Sequence, residues 1–152
     1  MEKVFEETLN LLPDLLQPVN GKWVLIGTTS LYLQGFSVAP CDIDILCDEE
    51  TALQIQLLLK PYLLPFDSIV TRDKFNSLFS RYRINGIKVE VMGDLQVNTG
   101  NNWVNLLDRI EKFESKKLGV YSVKIPSKAD QIKIYELFGR EKDKKILAML
   151  KP

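Results

Sequence analysis

Histidine is absent from this chain, which removes Ser-His-Asp and Cys-His hydrolases, HExxH zinc enzymes and every proton shuttle built on imidazole. Cysteine is nearly absent too: there are two, and without histidine to complete a ligand set they argue against a structural zinc site. Cys41 and Cys47 flank the run Asp42-Ile43-Asp44-Ile45-Leu46. On a strand rising ~3.3 Å per residue their Cα atoms stand about 20 Å apart, beyond disulfide reach. Net charge is missing as well, because 20 basic and 20 acidic side chains cancel. No chain-wide field therefore draws the protein onto DNA, RNA or an anionic membrane, and a nucleic-acid partner is not expected. No apolar run approaches the roughly 20 residues that cross a bilayer, so no membrane partner is expected either. The opening Met1-Glu2-Lys3-Val4-Phe5-Glu6-Glu7 is too acidic for a secretion or transit signal. The expected compartment is the cytoplasm. Acids, lysines and backbone amides are left to carry any chemistry.

What is present suits one globular domain over 1–152, with 45% hydrophobic and 26% charged residues. Val4, Phe5, Leu9, Leu12, Leu15 and Leu16 recur at helical spacing, with a kink or restart expected at Pro13. Residues 23–26 read as a short buried strand ending at Gly27, after which Thr28 or Thr29 can cap a brief helix reaching Gly35. A strand is expected over 42–47, a helix over 49–60 capped by Asp48, and a strand near 68–71. Strands over 79–84 and 87–92 flank Asn85-Gly86, the strongest short-range signal for a two-residue hairpin turn. Residues 97–102 read as a loop or insertion, and 106–113 is ambiguous between helix and strand. A last strand over 119–125, a helix capped by Ser127 and running through Phe138, and a final helix over 141–150 complete the order.

The period of two in a strand puts Ile43, Ile45 and the cysteines on one face and Asp42 and Asp44 together on the other. Aspartate is depleted in strands. Two carboxylates about 7 Å apart along one strand can bracket a pair of Mg²⁺ ions spaced ~3.5 to 4 Å, although an amphipathic strand with a solvated acidic edge has the same pattern. The hairpin repeats the alternation, with Ile87, Val89 and Val91 on one face and Lys88 and Glu90 on the other. If Asn85-Gly86 form the turn, Arg83 lies opposite Lys88 and Arg81 opposite Glu90. Arg81 and Glu90 can then be a plain cross-strand ion pair. Arg83 against Lys88 is unfavourable unless solvent or an anion separates them, and a triphosphate is such an anion. Ile26-Gly27-Thr28-Thr29 is a strand-to-helix junction able to receive a phosphate on backbone N–H groups and threonine hydroxyls, or simply an N-cap. The basic residues Lys128, Lys133, Arg140, Lys142, Lys144 and Lys145 read most simply as a solvated helix face.

In order, Gly27-Thr28, Gly35, Asp42-Ile43-Asp44 and Lys88-Val89-Glu90-Val91 resemble the signature of the minimal nucleotidyltransferases of the DNA polymerase beta superfamily. Leu31-Tyr32-Leu33-Gln34-Gly35 is similar to the helix that closes on a glycine before their catalytic strand. Lys133 with Gly139-Arg140-Glu141-Lys142-Asp143 is similar to a C-terminal K…GRxKD helix pair of small members. The segment from Gly86 to Asp94 is close to a small uncharacterised prokaryotic branch. The resemblance implies an α/β (α+β) nucleotidyltransferase fold, a mixed twisted sheet packed against helices. It implies transfer of a nucleoside monophosphate from an NTP, ATP first among them, to an acceptor hydroxyl with release of pyrophosphate. Two Mg²⁺ ions, with Mn²⁺ as a substitute, would be held by Asp42, Asp44 and Glu90. Gly27, Thr28, Thr29, Arg81, Arg83, Lys88 and Lys133 would hold the nucleotide, and the acceptor, a small molecule or a protein, is left open. Thr28 stands where Gly or Ser is usual, and Val38-Ala39-Pro40-Cys41 replaces an Arg-x-Thr-x lead-in. The alternative is a catalytically degenerate module of the same fold that binds nucleotide or a protein partner.

Overall fold

The computed structural model describes residues 2–65, 69–71 and 73–152. Its helices are α1 (Glu2–Leu15), α2 (Gly27–Leu33), α3 (Glu49–Leu58), α4 (Leu106–Arg109), α5 (Lys128–Phe138) and α6 (Glu141–Leu150). Its strands are β1 (Trp23–Ile26), β2 (Asp42–Cys47), β3 (Ile69–Thr71), β4 (Phe75–Ile84), β5 (Ile87–Asn98), β6 (Trp103–Asn105), β7 (Phe113–Leu118) and β8 (Tyr121–Pro126). They form one mixed sheet in the order β3-β4-β5-β2-β1-β8-β7, with β6 also paired to β5. The β2/β5 and β1/β8 pairs are parallel and the others antiparallel.

Strand alternation sends apolar side chains to both faces, and each face has its own cover. Ile43, Ile45, Cys47, Val89 and Val91 pack with Phe5, Leu9 and Leu12 of α1 and Ala52 and Ile55 of α3. Val24, Ile26 and Leu46 pack on the opposite side with Ile134, Tyr135 and Phe138 of α5 and Leu150 of α6. Helix α1 continues through Pro13 to Leu15; so near the helix end, the missing proline N–H removes a single bond. Asp48 caps α3 as anticipated, accepting from the Thr51 N–H at 2.8 Å.

The hairpin has the expected turn and is longer than its sequence pattern suggests. Asn85 and Gly86 both have positive φ, 53° and 80°, the geometry of a two-residue turn matched to strand twist. Farther along, Leu78 pairs with Gly93 while Asn76 pairs with Gln96, so β5 uses one residue more than β4. The extra residue is a bulge at Asp94, whose φ is 49°. Beyond it the parity reverses: Val89 and Val91 face α1 and α3, whereas Leu95 and Val97 join the core beneath α5. Gly93 precedes the bulge because a Cβ there would lie 2.7 Å from the Ala52 Cβ, closing the seat of α3.

Several elements depart from the sequence reading. Residues 97–102 hold the end of β5 and a tight return to β6, with the Thr99 N–H donating to the Asn102 carbonyl at 2.9 Å. The ambiguous stretch 106–113 resolves into α4, capped by Asn105, followed by an extended lead into β7. Strand β7, Phe-Glu-Ser-Lys-Lys-Leu, is an addition to the expected order, because a sheet-edge strand rich in charge carries little apolar alternation. The last strand starts at Tyr121, since Gly119 and Val120 form the turn between β7 and β8. Of the strand expected near 68–71, Ile69–Thr71 is β3 and Ser68 lies outside the described residues. Among the described residues, no helix is long and apolar enough to cross a membrane.

Candidate active site

The sheet register collects the acids. Ile26 at the end of β1 pairs with Asp44, Asp44 with Glu90, and Glu90 with Arg81, one lateral row across four strands. The next row holds Asp42, Lys88 and Arg83. The acid-bearing rows face the same side of the sheet as α5 and α6, where a cleft of ≈ 680 Å³ opens. Asp42, Asp44, Glu90, Lys88, Arg81, Gly27 and Thr28 all line it.

The three acids differ electrostatically. Arg81 donates to Glu90 Oε2 from Nε at 3.1 Å and from Nη2 at 2.8 Å. Lys88 Nζ lies 3.3 Å from Asp42 Oδ2 and 3.9 Å from Glu90 Oε1. Asp44 has neither a hydrogen bond nor an ion pair among the described residues. Burial, and then the negative charges of Glu90 and Asp42, push its pKa up to about 7 against the opposing pull of Lys88 and Lys142. A half-buried carboxylate with no partner beside two other acids is the most cation-hungry position in the cleft.

The backbone around Asp44 explains its setting. Gly27 turns from β1 into α2 with φ +73°, and a Cβ on it would stand 2.7 Å from Asp44 Oδ2. Only glycine gives both the left-handed turn and the close approach. The expected threonine cap is not formed, because α2 begins at Gly27 with Ile26 in the cap position. Thr29 is buried and its hydroxyl donates to the Asp42 carbonyl at 2.6 Å. It anchors the acidic strand and does not reach the cleft.

Two other candidates for nucleotide contact also lie elsewhere. Arg83 is exposed near the hairpin tip, donates from Nη1 to the Gly86 carbonyl at 3.2 Å and does not line the cleft. Lys133 points away from the cleft because the phase of α5 turns Gln131, Ile134, Tyr135 and Phe138 inward. It pairs with Glu111 at 3.4 Å beside a separate ≈ 260 Å³ pocket.

Residues outside the acid pattern complete the walls. Tyr135, Phe138, Arg140, Lys142, Asp143 and Ile146 border the cleft from above. The Arg140 guanidinium lies over Phe75 and Phe138, 5.2 and 5.1 Å from the ring centres, and makes a two-bond contact with Asp143 at 2.7 and 3.1 Å. Asp143 also accepts the Arg140 backbone N–H at 3.0 Å, closing the first turn of α6. The Arg and Asp of Gly139-Arg140-Glu141-Lys142-Asp143 are thus locked together while Lys142 borders the cleft. That motif is the sequence signal for these residues, although the lysines around it give the same tail the pattern of a solvated helix face. Phe75, Phe79, Met92 and Leu95 form the apolar part of the floor, and the Asp94 bulge that brings Leu95 there has no sequence signature beyond a polar residue in a strand.

A protein of Thermotoga maritima described as a candidate nucleotidyltransferase is similar over 95% of this chain and 90% of its own, with 27% identity and a TM-score of 0.79. The fold is that of the minimal nucleotidyltransferases. The nucleotidyltransferase architecture extends to the lincosamide antibiotic adenylyltransferase LnuA in its lincomycin-bound form, at 18% identity, 99% and 96% coverage and a TM-score of 0.56. An antigenic nucleotidyltransferase-like protein from Paracoccidioides brasiliensis is similar over 95% of this chain and 74% of its own, with 13% identity and a TM-score of 0.54. No family model and no curated protein sequence matches the chain. Within the nucleotidyltransferase fold, the grouping of Asp42, Asp44 and Glu90 therefore stands on its own geometry.

Both cysteines are free, with Cys41 exposed at the cleft and Cys47 buried. Burial pushes the Cys47 thiol up to about 12, so its reactive thiolate is scarce at neutral pH. A thiol-reactive dye is expected to label one site per native chain rapidly and the second only on unfolding. Rapid labelling of both would mean that the phase of β2, and with it the placement of the aspartates, is wrong.

Proposed function

We propose that this protein is a Mg²⁺-dependent nucleotidyltransferase that moves a nucleoside monophosphate from an NTP to an acceptor hydroxyl. The observation that carries this reading is Asp44, an unpartnered carboxylate held between Asp42 and Glu90 in a cleft of ≈ 680 Å³. Three carboxylates are the hard oxygen donors that Mg²⁺ takes. Among the described residues no three such groups form a ready-made cage, and Lys88 and Arg81 pair with Asp42 and Glu90. The donor set fits the ion in chemistry, with Asp44 as the point of entry and Lys88 as the cation to be displaced. When bound, the ions would neutralise charge that develops on the transferring phosphoryl group.

The chain's own residues then divide the work. Thr28 and Lys142, bordering the Asp44 side of the cleft, receive the triphosphate, with Lys88 able to turn to it once released from Asp42. Arg81 fixes Glu90 through Oε2 and leaves Oε1, toward Lys88, to accept the acceptor hydroxyl's proton. An acceptor reaching Glu90 from the β4 side passes over Phe79 and Met92, a floor suited to an alcohol with an apolar body. The name of LnuA, an adenylyltransferase, makes ATP the first nucleotide to test.

The rival reading, a degenerate module, draws on the same ion pairs: a cleft whose acids are already neutralised could bind a partner without metal. A thermal-shift panel separates the two. A ligand bound only by the native state raises Tm with its occupancy. Mg²⁺ with ATP is expected to raise Tm by several degrees, with far smaller shifts from either alone. Equal shifts with and without Mg²⁺, or none, would favour the module.

A further inference from the structure

Asp42 is bonded to α2 and Asp44 lies beside its first residue, Gly27, and α2 is tied to α5 by one buried side chain. Gln131 is 0% exposed, and its Nε2 donates to Ser30 Oγ at 2.8 Å. The Ser30 hydroxyl donates in turn to the Gly27 carbonyl at 2.6 Å. Gly27 is the residue on which a Cβ would stand 2.7 Å from Asp44 Oδ2, so its turn lies directly beside the Asp44 carboxylate. The path from α5 to the acid is therefore Gln131, Ser30, Gly27, Asp44, its first bond spanning 101 positions of sequence. A parallel tie, Thr29 to the Asp42 carbonyl, holds the neighbouring acid's backbone.

Gln131 is a poor choice for packing alone. Its Oε1 is buried with no partner among the described residues, and such an acceptor destabilises a core that leucine of similar volume would fill without penalty. What the amide provides is the Nε2 donor, and that donor orients the Ser30 hydroxyl onto Gly27.

We propose that Gln131 is a positioning residue that keeps the Gly27 turn seated against Asp44. It touches neither the cleft nor a ligand and acts through Ser30. The role rests on the reading of Asp44 as the metal and nucleotide position, and the test keeps the two separable.

The test compares Gln131→Leu, Ser30→Ala and the double variant with the parent by melting temperature, amide hydrogen exchange over 27–31, the Asp44 carboxyl NMR signal and Mg²⁺-ATP affinity. The expected result for Gln131→Leu is a melting temperature equal to or above the parent's, exchange over 27–31 at least tenfold faster, a displaced Asp44 signal and at least tenfold weaker Mg²⁺-ATP binding. Ser30→Ala should reproduce the local changes, and the double variant should be no worse than the more affected single one, since both interrupt one path. Parent-like exchange and a parent-like Asp44 signal in Gln131→Leu overturn the proposal, whatever happens to stability. If Ser30→Ala alone folds, its exchange and Asp44 signal decide in the same way. Should the parent not bind Mg²⁺-ATP, the functional reading fails, while the exchange and the Asp44 signal still decide the positioning role.

Discussion

Asp44→Asn is expected to make the folded protein more stable at pH 8 and to leave it little changed at pH 3. The native pKa of Asp44 stands at about 7 against an ordinary value of 3.8. Below 3.8 the group is protonated in both states and contributes nothing. Between 3.8 and about 7 the unfolded chain releases the proton while the native protein keeps it, so stability falls as pH rises. Above 7 both states are ionised and the full penalty of holding the charge in the cleft remains. Asparagine never carries that charge, so the gain belongs to the high-pH side. Allowing for solvent in the cleft, it should be on the order of 2 kcal/mol at pH 8. Urea melts of parent and variant at pH 3 and pH 8 measure it. A variant less stable than the parent at pH 8 would mean that Asp44 has a structural partner and is no cation site.

Asp143→Ala is expected to be the most destabilising change in the cleft wall. Asp143 is 2% exposed, and it both caps α6 through the Arg140 N–H and neutralises the Arg140 guanidinium. Losing the cap costs about 1 kcal/mol. Leaving the arginine between Phe75 and Phe138 without its carboxylate adds to that, for a total on the order of 2–3 kcal/mol. Lys142, one residue away, should shift with the helix start and weaken nucleotide binding. Asp143→Asn keeps an acceptor for the N–H but not the charge, and should fall between. Denaturant midpoints of the two variants check the order, and an alanine variant as stable as the parent would remove the clamp from the account.

The acidic row was legible because β-alternation is a local rule. Asp42 and Asp44 skip Ile43, Lys88 and Glu90 skip Val89, and Asn85-Gly86 fixes the register that places Arg81 against Glu90. The alignment of Asp44 beside Glu90 is a parallel pairing between β2 and β5, and only the family resemblance suggested it. What stayed hidden depends on tertiary packing. Thr29 reads as a phosphate donor until the Asp42 carbonyl claims its hydroxyl. Lys133 reads as a cleft residue until the phase of α5 turns it toward Glu111. The Asp94 bulge reverses a strand's faces through one positive φ, and no hydrophobic pattern announces it. Charged edge strand β7 was invisible for the same reason that it is stable at an edge, its polarity.

Calorimetric titration of ATP into the parent and into Asp44→Asn at pH 8, each with Mg²⁺ and with EDTA, tests the central claim most directly. The account predicts saturable binding by the parent only when Mg²⁺ is present, and at least a hundredfold loss of affinity in Asp44→Asn although that variant is folded and more stable. Binding that persists in EDTA, or that survives the loss of the Asp44 charge, would contradict it.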